Sequence, residues 1–301
     1  MKRWQSVRLR GYAMPVSVSA QFLEVVAEPV VRAALAEDLG RGGDVTTDAI
    51  VSPEVRARAV LAARRDGVVA GTSIALLAFR LLEPSIEWTI DVPDGERVTA
   101  GGAIAHVSGS ARCILSGERV ALNLLGRLCG IATATRSMVD AIAPARAQVA
   151  DTRKTTPGLR ALEKYAVRCG GGINHRFGLD DAVLIKDNHL ALAGSIRDAV
   201  AAVRARIGHM MKVEVEVDSL EQLREALETP IDAVLLDNMP PDVLRRAVEM
   251  VAGRVLTEAS GGVTLQSIAT IARTGVDVIS TGWITHSAPA LDVGLDIEMS
   301  N

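Results

Sequence analysis

The sequence has few aromatic residues and few cysteines. Aromatic residues make up 3% of its 301 residues, whereas hydrophobic residues make up 49%, so the core must be built from Ala, Val, Leu and Ile. The three cysteines, Cys113, Cys129 and Cys169, are widely spaced and form no CxxC pair. This pattern excludes a dense disulfide framework and a zinc ribbon, and it suits a reducing compartment. We therefore predict a cytoplasmic protein.

The sequence also lacks a charge excess and a membrane-spanning run. A net charge of -3 gives no overall attraction to nucleic acid or to an anionic membrane, so we expect neither as a partner. Residues 1–17 are basic but lack the apolar core of a signal peptide. We predict a disordered extension here, upstream of a start at Met14; the alternative is a transit peptide.

The hydrophobic pattern divides the chain near residue 120. Before this point we predict a small α+β domain, with a helix over 20–39 that ends at Gly40. Further elements are a helix over 75–83 and strands within 57–71, 85–93 and 103–109. A long helical stretch over 114–142 leaves this domain, and its three glycines mark either breaks or close packing: Gly117, Gly126 and Gly130.

From about residue 146, short apolar runs alternate with helical patterns. The predicted strands are 147–151, 182–187, 211–217, 233–238, 254–260 and 277–282. The predicted helices between them include 195–208, 219–228, 241–251 and 264–274. Repeated βα units with nearly continuous apolar strands indicate a parallel sheet, and their number favours a barrel over an open sheet.

Polar residues and glycines follow nearly every predicted strand. Because ligands bind at the carboxyl ends of the strands in α/β barrels, these residues should line one mouth. They are Thr152, Arg153, Lys154, Lys186, Glu216, Asp237, Ser260, Gly261, Gly262, Thr281 and Gly282. The last two strand ends are rich in glycine, where barrels commonly bind phosphate, although a glycine after a strand can also be a plain turn.

The types of these residues indicate the ligand chemistry. Arginines match carboxylates, lysines and glycine loops match phosphates, and acids at strand ends match hydroxyls or Mg²⁺. Glu214 and Glu216 share one strand face, so they need cationic partners if that face is interior. Lys186 ends a predicted buried strand, and a lone buried lysine favours function because burying its charge is costly. The residues alone predict a barrel enzyme that handles a phosphorylated sugar and a carboxylate.

Two features near Arg168 have competing interpretations. The run Gly170–Gly172 is either a phosphate cradle or a mobile loop. Cys169 is interpreted as a small core residue, because no general base accompanies it.

Eight segments in register resemble the quinolinate phosphoribosyltransferase family. They are EDLGRGGDVTT, SGERVALNLL, DTRKTTPGLRALEKYAVRCGGGINHRFGL, VLIKDNH, VEVEVDS, LLDNM, EASGGV and THSAPALD. The resemblance implies an α/β fold, with an N-terminal α/β sandwich over 18–128 completed by a return of 289–301. An incomplete parallel α/β barrel would cover 129–288.

The resemblance also implies an activity. Such enzymes join quinolinate to 5-phosphoribosyl-1-diphosphate (PRPP) with Mg²⁺ and release nicotinate mononucleotide, diphosphate and CO₂ in NAD biosynthesis. They are pentosyltransferases that form homodimers with shared sites. A hexamer remains an open alternative.

By resemblance, the residues that bind the quinolinate carboxylates are Arg153, His175, Arg176 and, from the neighbouring subunit, Arg119. Lys154 and Lys186 would lie between quinolinate and the phosphates. Glu216, in preference to Glu214, and Asp237 would hold the ribose hydroxyls, directly or through Mg²⁺. Thr152 would belong to the same substrate-binding set. The 5-phosphate would be held by Ser260, Gly261, Gly262, Thr281 and Gly282. One departure is Trp283, where the family more often has a small residue.

Three other interpretations stay open at this stage. The first is a related phosphoribosyltransferase, either specific for nicotinate or of the kind linked to molybdenum transport. The second is a barrel lyase that forms a Schiff base through Lys186. The third is a non-catalytic binding protein of the same fold.

Overall fold

The computed structural model describes residues 20–298 of the protein. The predicted extension over residues 1–17 lies outside the described residues. The N-terminal half contains α1 (Ala20–Leu39), α2 (Val45–Ile50), β1 (Arg56–Ala63), β2 (Gly67–Val68), α3 (Thr72–Leu82), β3 (Glu87–Ile90), β4 (Arg97–Val98) and β5 (Ala103–Ser110). The predicted helices α1 and α3 and the strands around them are confirmed.

The second half begins with one long helix and then alternates strands with helices. Its elements are α4 (Ala111–Ile142), β6 (Gln148–Ala150), α5 (Arg160–Cys169), β7 (Val183–Ile185), α6 (Asp187–Ala193), α7 (Ile196–Arg204), β8 (Val213–Val217), α8 (Leu220–Ala226), β9 (Ala233–Asp237), α9 (Pro241–Val251), β10 (Leu256–Ser260), α10 (Ile268–Ala272), β11 (Val278–Ser280), α11 (Trp283–His286) and β12 (Val293–Glu298).

Two larger sheets organise these elements. The N-terminal sheet is antiparallel, in the order β12-β1-β5-β3, so the last strand of the chain returns to the first domain. The second sheet has six parallel strands in the order β6-β11-β10-β9-β8-β7. Within residues 20–298, β6 and β7 are its two edge strands, so the barrel is incomplete.

The core is aliphatic, as the composition predicts. Phe79 is the single aromatic residue among the buried hydrophobic side chains of the described residues. The remaining core side chains are almost all Ala, Val, Leu and Ile. In the described part of the chain, no helix is long and apolar enough to cross a membrane.

Helix α4 is continuous over 32 residues and runs from the N-terminal sheet into the barrel. Its glycines mark close packing, so the alternative that they mark breaks is wrong. A Cβ on Gly117 would lie 2.8 Å from Phe79, and one on Gly126 would lie 2.8 Å from the Leu291 carbonyl oxygen. A Cβ on Gly130 would lie only 2.1 Å from the Pro289 carbonyl oxygen. The backbone leading to β12 therefore lies directly against the helix.

Asp94 joins the two halves of the molecule. Its carboxylate accepts the N–H groups of Gly71 (2.7 Å) and Thr72 (3.2 Å) at the start of α3. It also accepts the Tyr165 hydroxyl at 2.7 Å from α5 in the barrel. Gly71 is the N-cap of α3 but has no side chain, so Asp94 caps the helix in its place. The same carboxylate binds Tyr165, and the helix cap therefore also links the two domains.

Helix α5 is not among the helices that the sequence pattern predicts. Residues Arg160–Cys169 are helical, and Leu162, Ala166 and Val167 bury one face. Apolar residues four and seven positions after Leu162, at Ala166 and Cys169, fit the helical period on a polar background. Helices α7, α8, α9 and α10 lie where the sequence predicts them.

The Gly130 contact leads to a stability prediction. Gly130→Ala should destabilise the protein by roughly 1–2 kcal/mol, because overpacking against backbone, at the upper end of about 1–3 kcal/mol, outweighs the gain of about 1 kcal/mol for replacing a helical glycine. Urea unfolding monitored by circular dichroism measures the change. Gly208→Ala is the control, since a Cβ there meets nothing within 4 Å. A Gly130→Ala protein as stable as the wild type would contradict the packing argument.

Candidate active site

A cavity of about 870 Å³ opens at the carboxyl ends of the parallel strands. It is the place that the sequence pattern predicts for a ligand in an α/β barrel. Thirteen of the predicted site residues line it: Thr152, Arg153, Lys154, His175, Arg176, Lys186, Glu216, Asp237, Ser260, Gly261, Gly262, Thr281 and Gly282. These residues are spread over 131 positions of the sequence, from Thr152 to Gly282. The strands β6 to β11 and the segments that follow them bring the residues together.

Arg119 is the predicted site residue that does not line this cavity. It lies on α4, its side chain is 63% exposed, and its nearest acid within the described chain is the adjacent Glu118, at 3.9 Å. Arg168, on α5, is also outside the cavity lining.

Lys186 is paired, which corrects the expectation of a lone buried lysine. It follows the last residue of β7, its side chain is 45% exposed, and its ammonium forms an ion pair with Glu216. Strand β7 ends at Ile185, so Lys186 already lies at the mouth of the barrel. Glu216 is therefore held on the cavity side of β8, facing a cation.

Two arginines, Arg153 and Arg176, line the cavity and influence one another through their charges. Arg176 donates from Nη1 to the Ala182 carbonyl at 2.9 Å. Its Nε is buried and has no hydrogen-bond partner among residues 20–298. Burial and the neighbouring charge of Arg153 lower the pKa of Arg176. Guanidinium groups pair with carboxylates and phosphates through parallel hydrogen bonds, so these two side chains have the chemistry to bind an anion.

His175 and Glu258 line the floor of the cavity, and Glu214 contacts His175 from outside the cavity lining. The His175 Nε2 lies 3.1 Å from Glu214 and 3.7 Å from Glu258. Burial lowers the pKa of His175, but the hydrogen bond to Glu214 and the charges of Glu258 and Glu214 outweigh it and raise the pKa overall. Burial first, and then the charge of Glu214, raises the pKa of Glu258 to about 7.

A buried ion pair lies beneath the loop that carries His175. Lys164, on α5, pairs with Asp151 at the end of β6, and both side chains are at most 5% exposed. Asp151 also accepts the His175 backbone N–H at 2.9 Å and the Asn174 side chain at 2.6 Å. Lys164 donates to the His175 carbonyl at 2.9 Å. The pair therefore fixes the backbone that aims His175 and Arg176 into the cavity.

The sequence analysis did not identify Asp151, Lys164 or Glu258 as site-building residues. A signal for Lys164 is present in the sequence: the two charged residues Glu163 and Lys164 lie in the middle of an otherwise amphipathic helical stretch. Glu163 is buried too, and it binds Arg127 of α4 at 2.8 Å. Charges on the buried side of a helix require partners, so they mark a polar network.

The glycine-rich strand ends have backbone conformations that favour glycine. Gly261 has φ of 91° and Gly262 has φ of 57°. A Cβ on Gly261 would lie 2.1 Å from Oδ1 of Asn238, and one on Gly282 would lie 2.7 Å from Cδ of Lys154. Trp283 begins α11 beside these loops and also lines the cavity. Gly261 and Gly282 therefore let the two loops pack closely against Asn238 and Lys154, whereas a Cβ on Gly262 would meet nothing within 4 Å.

The run Gly170–Gly172 is not part of the cavity lining. A Cβ on Gly170 would lie 2.5 Å from Thr135, and one on Gly172 would lie 2.8 Å from the same side chain. These glycines let the end of α5 pack against α4, so the phosphate-cradle interpretation is wrong for them. Cys169 is buried, which confirms its interpretation as a core residue.

Comparison with protein families gives two adjoining matches. Residues 44–129 match the model described as "Quinolinate phosphoribosyl transferase, N-terminal domain". Residues 131–296 match the model described as "Quinolinate phosphoribosyl transferase, C-terminal domain". The two matches meet inside α4.

Individual relatives agree with the family models. The chain is 46% identical over 265 residues to the probable nicotinate-nucleotide pyrophosphorylase (carboxylating) of Bacillus subtilis, covering 88% of this chain and 91% of the relative. It is 45% identical over 276 residues to the nicotinate-nucleotide pyrophosphorylase (carboxylating) of Mycobacterium leprae, covering 90% and 97%. The solved nicotinate-nucleotide pyrophosphorylase of Francisella tularensis is 38% identical, with a TM-score of 0.87 and coverage of 91% and 97%.

The buried pair gives the prediction for this site. Lys164→Met should destabilise the protein by roughly 3–5 kcal/mol, because it leaves the Asp151 carboxylate buried without its cation. Lys212→Met is the matched control: Lys212 pairs with Asp232 at 2.7 Å, but its side chain is 76% exposed. That loss should stay below about 1 kcal/mol. Urea unfolding of both variants makes the comparison, and equal losses would show that the Lys164 pair is not a buried constraint.

Proposed function

The chain belongs to the quinolinate phosphoribosyltransferase family, and from this membership and the cavity we infer that it is a decarboxylating pentosyltransferase of NAD biosynthesis. It joins quinolinate to PRPP and produces nicotinate mononucleotide, diphosphate and CO₂. The substrate is a dicarboxylate, its co-substrate is a phosphorylated sugar, and the cavity offers groups for both.

The observation that carries this proposal is the pair of arginines that line the cavity. Arg153 and Arg176 repel one another without a ligand, and Arg176 Nε is buried with no partner among the described residues. A planar guanidinium binds a carboxylate through two parallel hydrogen bonds. Quinolinate carries two adjacent carboxylates, so one molecule can satisfy both arginines.

The other cavity residues suit PRPP. Lys154 and Lys186 supply point charges between the carboxylate end and the glycine loops. Glu216 and Asp237 are placed to hold ribose hydroxyls, and Ser260, Gly261, Gly262, Thr281 and Gly282 are placed to hold the 5-phosphate. Thr152 lines the same cavity beside Arg153.

The reaction requires a bond change at the ribose and another at the ring. The quinolinate nitrogen forms a bond to ribose C1 as the bond from C1 to the diphosphate oxygen breaks. Positive charge develops on the ribose during this step, and the carboxylates of Glu216 and Asp237 stabilise it. The bond to the 2-carboxylate then breaks, its electron pair stays on the ring carbon beside the pyridinium nitrogen, and a proton replaces CO₂. The enzyme's main contribution is to hold two anions together.

We propose Mg²⁺ as the cofactor that accompanies PRPP. Glu216 and Asp237 both line the cavity, and Mg²⁺ is typically bound by one or two carboxylates together with substrate phosphates. The residues present therefore fit the ion, with these two carboxylates holding it directly or through water. When bound, it would supply positive charge against the diphosphate.

Observations in the cavity argue against the other interpretations. Lys186 is ion-paired to Glu216, and a paired ammonium is not a Schiff-base nucleophile. A nicotinate-specific enzyme would need only one arginine, whereas Arg153 and Arg176 both line the cavity. The carboxylates of Glu216 and Asp237, placed where charge develops, support catalysis over simple binding.

The proposed location is the cytoplasm, which the free thiols of Cys113, Cys129 and Cys169 support.

Turnover tests the function directly. With quinolinate, PRPP and Mg²⁺, the protein should release CO₂ and nicotinate mononucleotide, and nicotinate should not replace quinolinate.

Arg176→Ala should weaken quinolinate binding by roughly 2–5 kcal/mol, with PRPP binding much less affected, because a buried charged hydrogen bond is lost. Arg197→Ala, at an exposed surface pair, is the control. Equal losses for both substrates in Arg176→Ala would reject its assignment to the carboxylates.

We further propose a homodimer in which each site receives Arg119 from the partner. Within the described chain, Arg119 is exposed and outside the cavity. Its guanidinium is therefore available to a neighbouring molecule. A two-fold interface would make the donation reciprocal. A hexamer built from such dimers is compatible with the same exchange.

Mixing of two inactive variants tests the shared site. Arg119→Ala and Lys154→Ala dimers should each be nearly inactive. In a mixed dimer both changes fall in one site and leave the other intact, so random exchange of equal amounts should restore roughly a quarter of wild-type activity. Differently tagged chains verify the exchange. If exchange occurs and activity stays at the level of the variants, Arg119 does not act across the interface.

A further inference from the structure

Glu258 is a buried carboxyl group for which the proposed mechanism has no use. It lies on β10, is 4% exposed, and its Oε1 is buried without a hydrogen-bond partner among residues 20–298. The hydroxyl of Ser280, on the neighbouring strand β11, is 1% exposed and likewise has no partner there. Both residues line the floor of the cavity. An ionised carboxylate in this position would be costly, because a buried charge needs a partner.

The charged groups around Glu258 do not supply such a partner. Glu214 on β8 and Asp151 at the end of β6 add negative charge near it. Lys164 on α5 is committed to Asp151. His175 is the one titratable base in contact among the described residues, and its Nε2 lies 3.7 Å away, beyond hydrogen-bond range.

The hydrogen bonds of His175 indicate what the cluster holds. His175, Glu214 and Glu258 offer ligand atoms within 4.8 Å of one another, a set that could hold a metal ion by its composition. However, His175 Nδ1 accepts the backbone N–H of Arg176 at 2.7 Å. A neutral imidazole then carries its proton on Nε2, which donates to Glu214 at 3.1 Å. An Nε2 that carries a proton cannot bind a metal.

We propose that Glu258 is held as a neutral carboxylic acid beneath His175, and that this proton sets the upper pH limit for binding of the dicarboxylate substrate. The inference rests on the proposed function, because quinolinate is the ligand concerned. Glu258 is a positioning residue: it acts through His175 and through the charge of the floor.

The effect of pH has a definite sign. The pKa of Glu258 is raised to about 7, first by burial and then by Glu214. Below pH 7 the Glu258 carboxyl group is protonated and neutral. Above pH 7 it is ionised, and it then places a negative charge beneath the bound quinolinate dianion. Quinolinate stays fully ionised throughout, because carboxyl groups ordinarily titrate near pH ~4. Affinity should therefore be highest below pH 7 and fall as the pH rises.

Titration calorimetry with quinolinate alone, from pH 6 to pH 9, tests the proposal. The wild-type Kd should rise by up to about tenfold per pH unit above 7, or about 100-fold by pH 9. In Glu258→Gln the amide cannot ionise, so the rise in Kd above pH 7 should be much smaller than in the wild type, with only the titration of His175 left to contribute. Glu249→Gln is the matched control, because it makes the same substitution at an exposed carboxylate of α9, and it should keep the wild-type slope.

Proton uptake provides a second measurement that uses only the wild-type protein. At pH 8, binding should take up close to one proton, which is measured from the binding enthalpy in two buffers with different ionisation enthalpies. A wild-type Kd that does not change with pH, an unchanged slope in Glu258→Gln, or no proton uptake would each overturn the inference. Absence of quinolinate binding at every pH would instead reject the proposed function.

Discussion

The buried ion pair between Lys164 and Asp151 is the constraint on which the candidate site depends. It joins helix α5 to the end of strand β6, and Asp151 also accepts the side-chain amide of Asn174 and the backbone N–H of His175. Neither charge can be left unpaired in the interior, so the positions of the helix, the strand and the loop relative to one another are fixed together. His175 and Arg176 face the cavity because this network leaves their backbone one conformation.

The site separates its charges into layers. Cations line the cavity at Arg153, Arg176 and Lys154, whereas the floor carries an acid, Glu258, with a second acid, Glu214, in contact with His175 outside the lining. This arrangement lets a mildly acidic protein attract two anionic substrates locally. It also makes the floor sensitive to one proton, because an additional negative charge there acts directly beneath the bound anion.

The N-terminal half contributes more than a support for the barrel. Helix α4 passes through both domains without a break, and Gly126 and Gly130 let the returning chain lie against it. Asp94 caps a helix of one domain while it accepts the Tyr165 hydroxyl of the other. The exposed face of α4 carries Arg119, so the element that joins the domains also presents a cation to a neighbouring subunit in the proposed dimer.

The sequence by itself determined the parallel strands, most of the helices between them and most of the cavity lining. Strand ends at Lys186, Asp237 and Ser260 could be predicted because backbone periodicity and turn residues are local properties. The partners of buried charges were decided only by the tertiary structure. The sequence pattern predicts a lone buried Lys186, but this residue is paired at the mouth. Lys164, for which the pattern predicts no burial, is buried. Burial and pairing depend on residues distant in sequence, and no local pattern encodes which cation meets which acid.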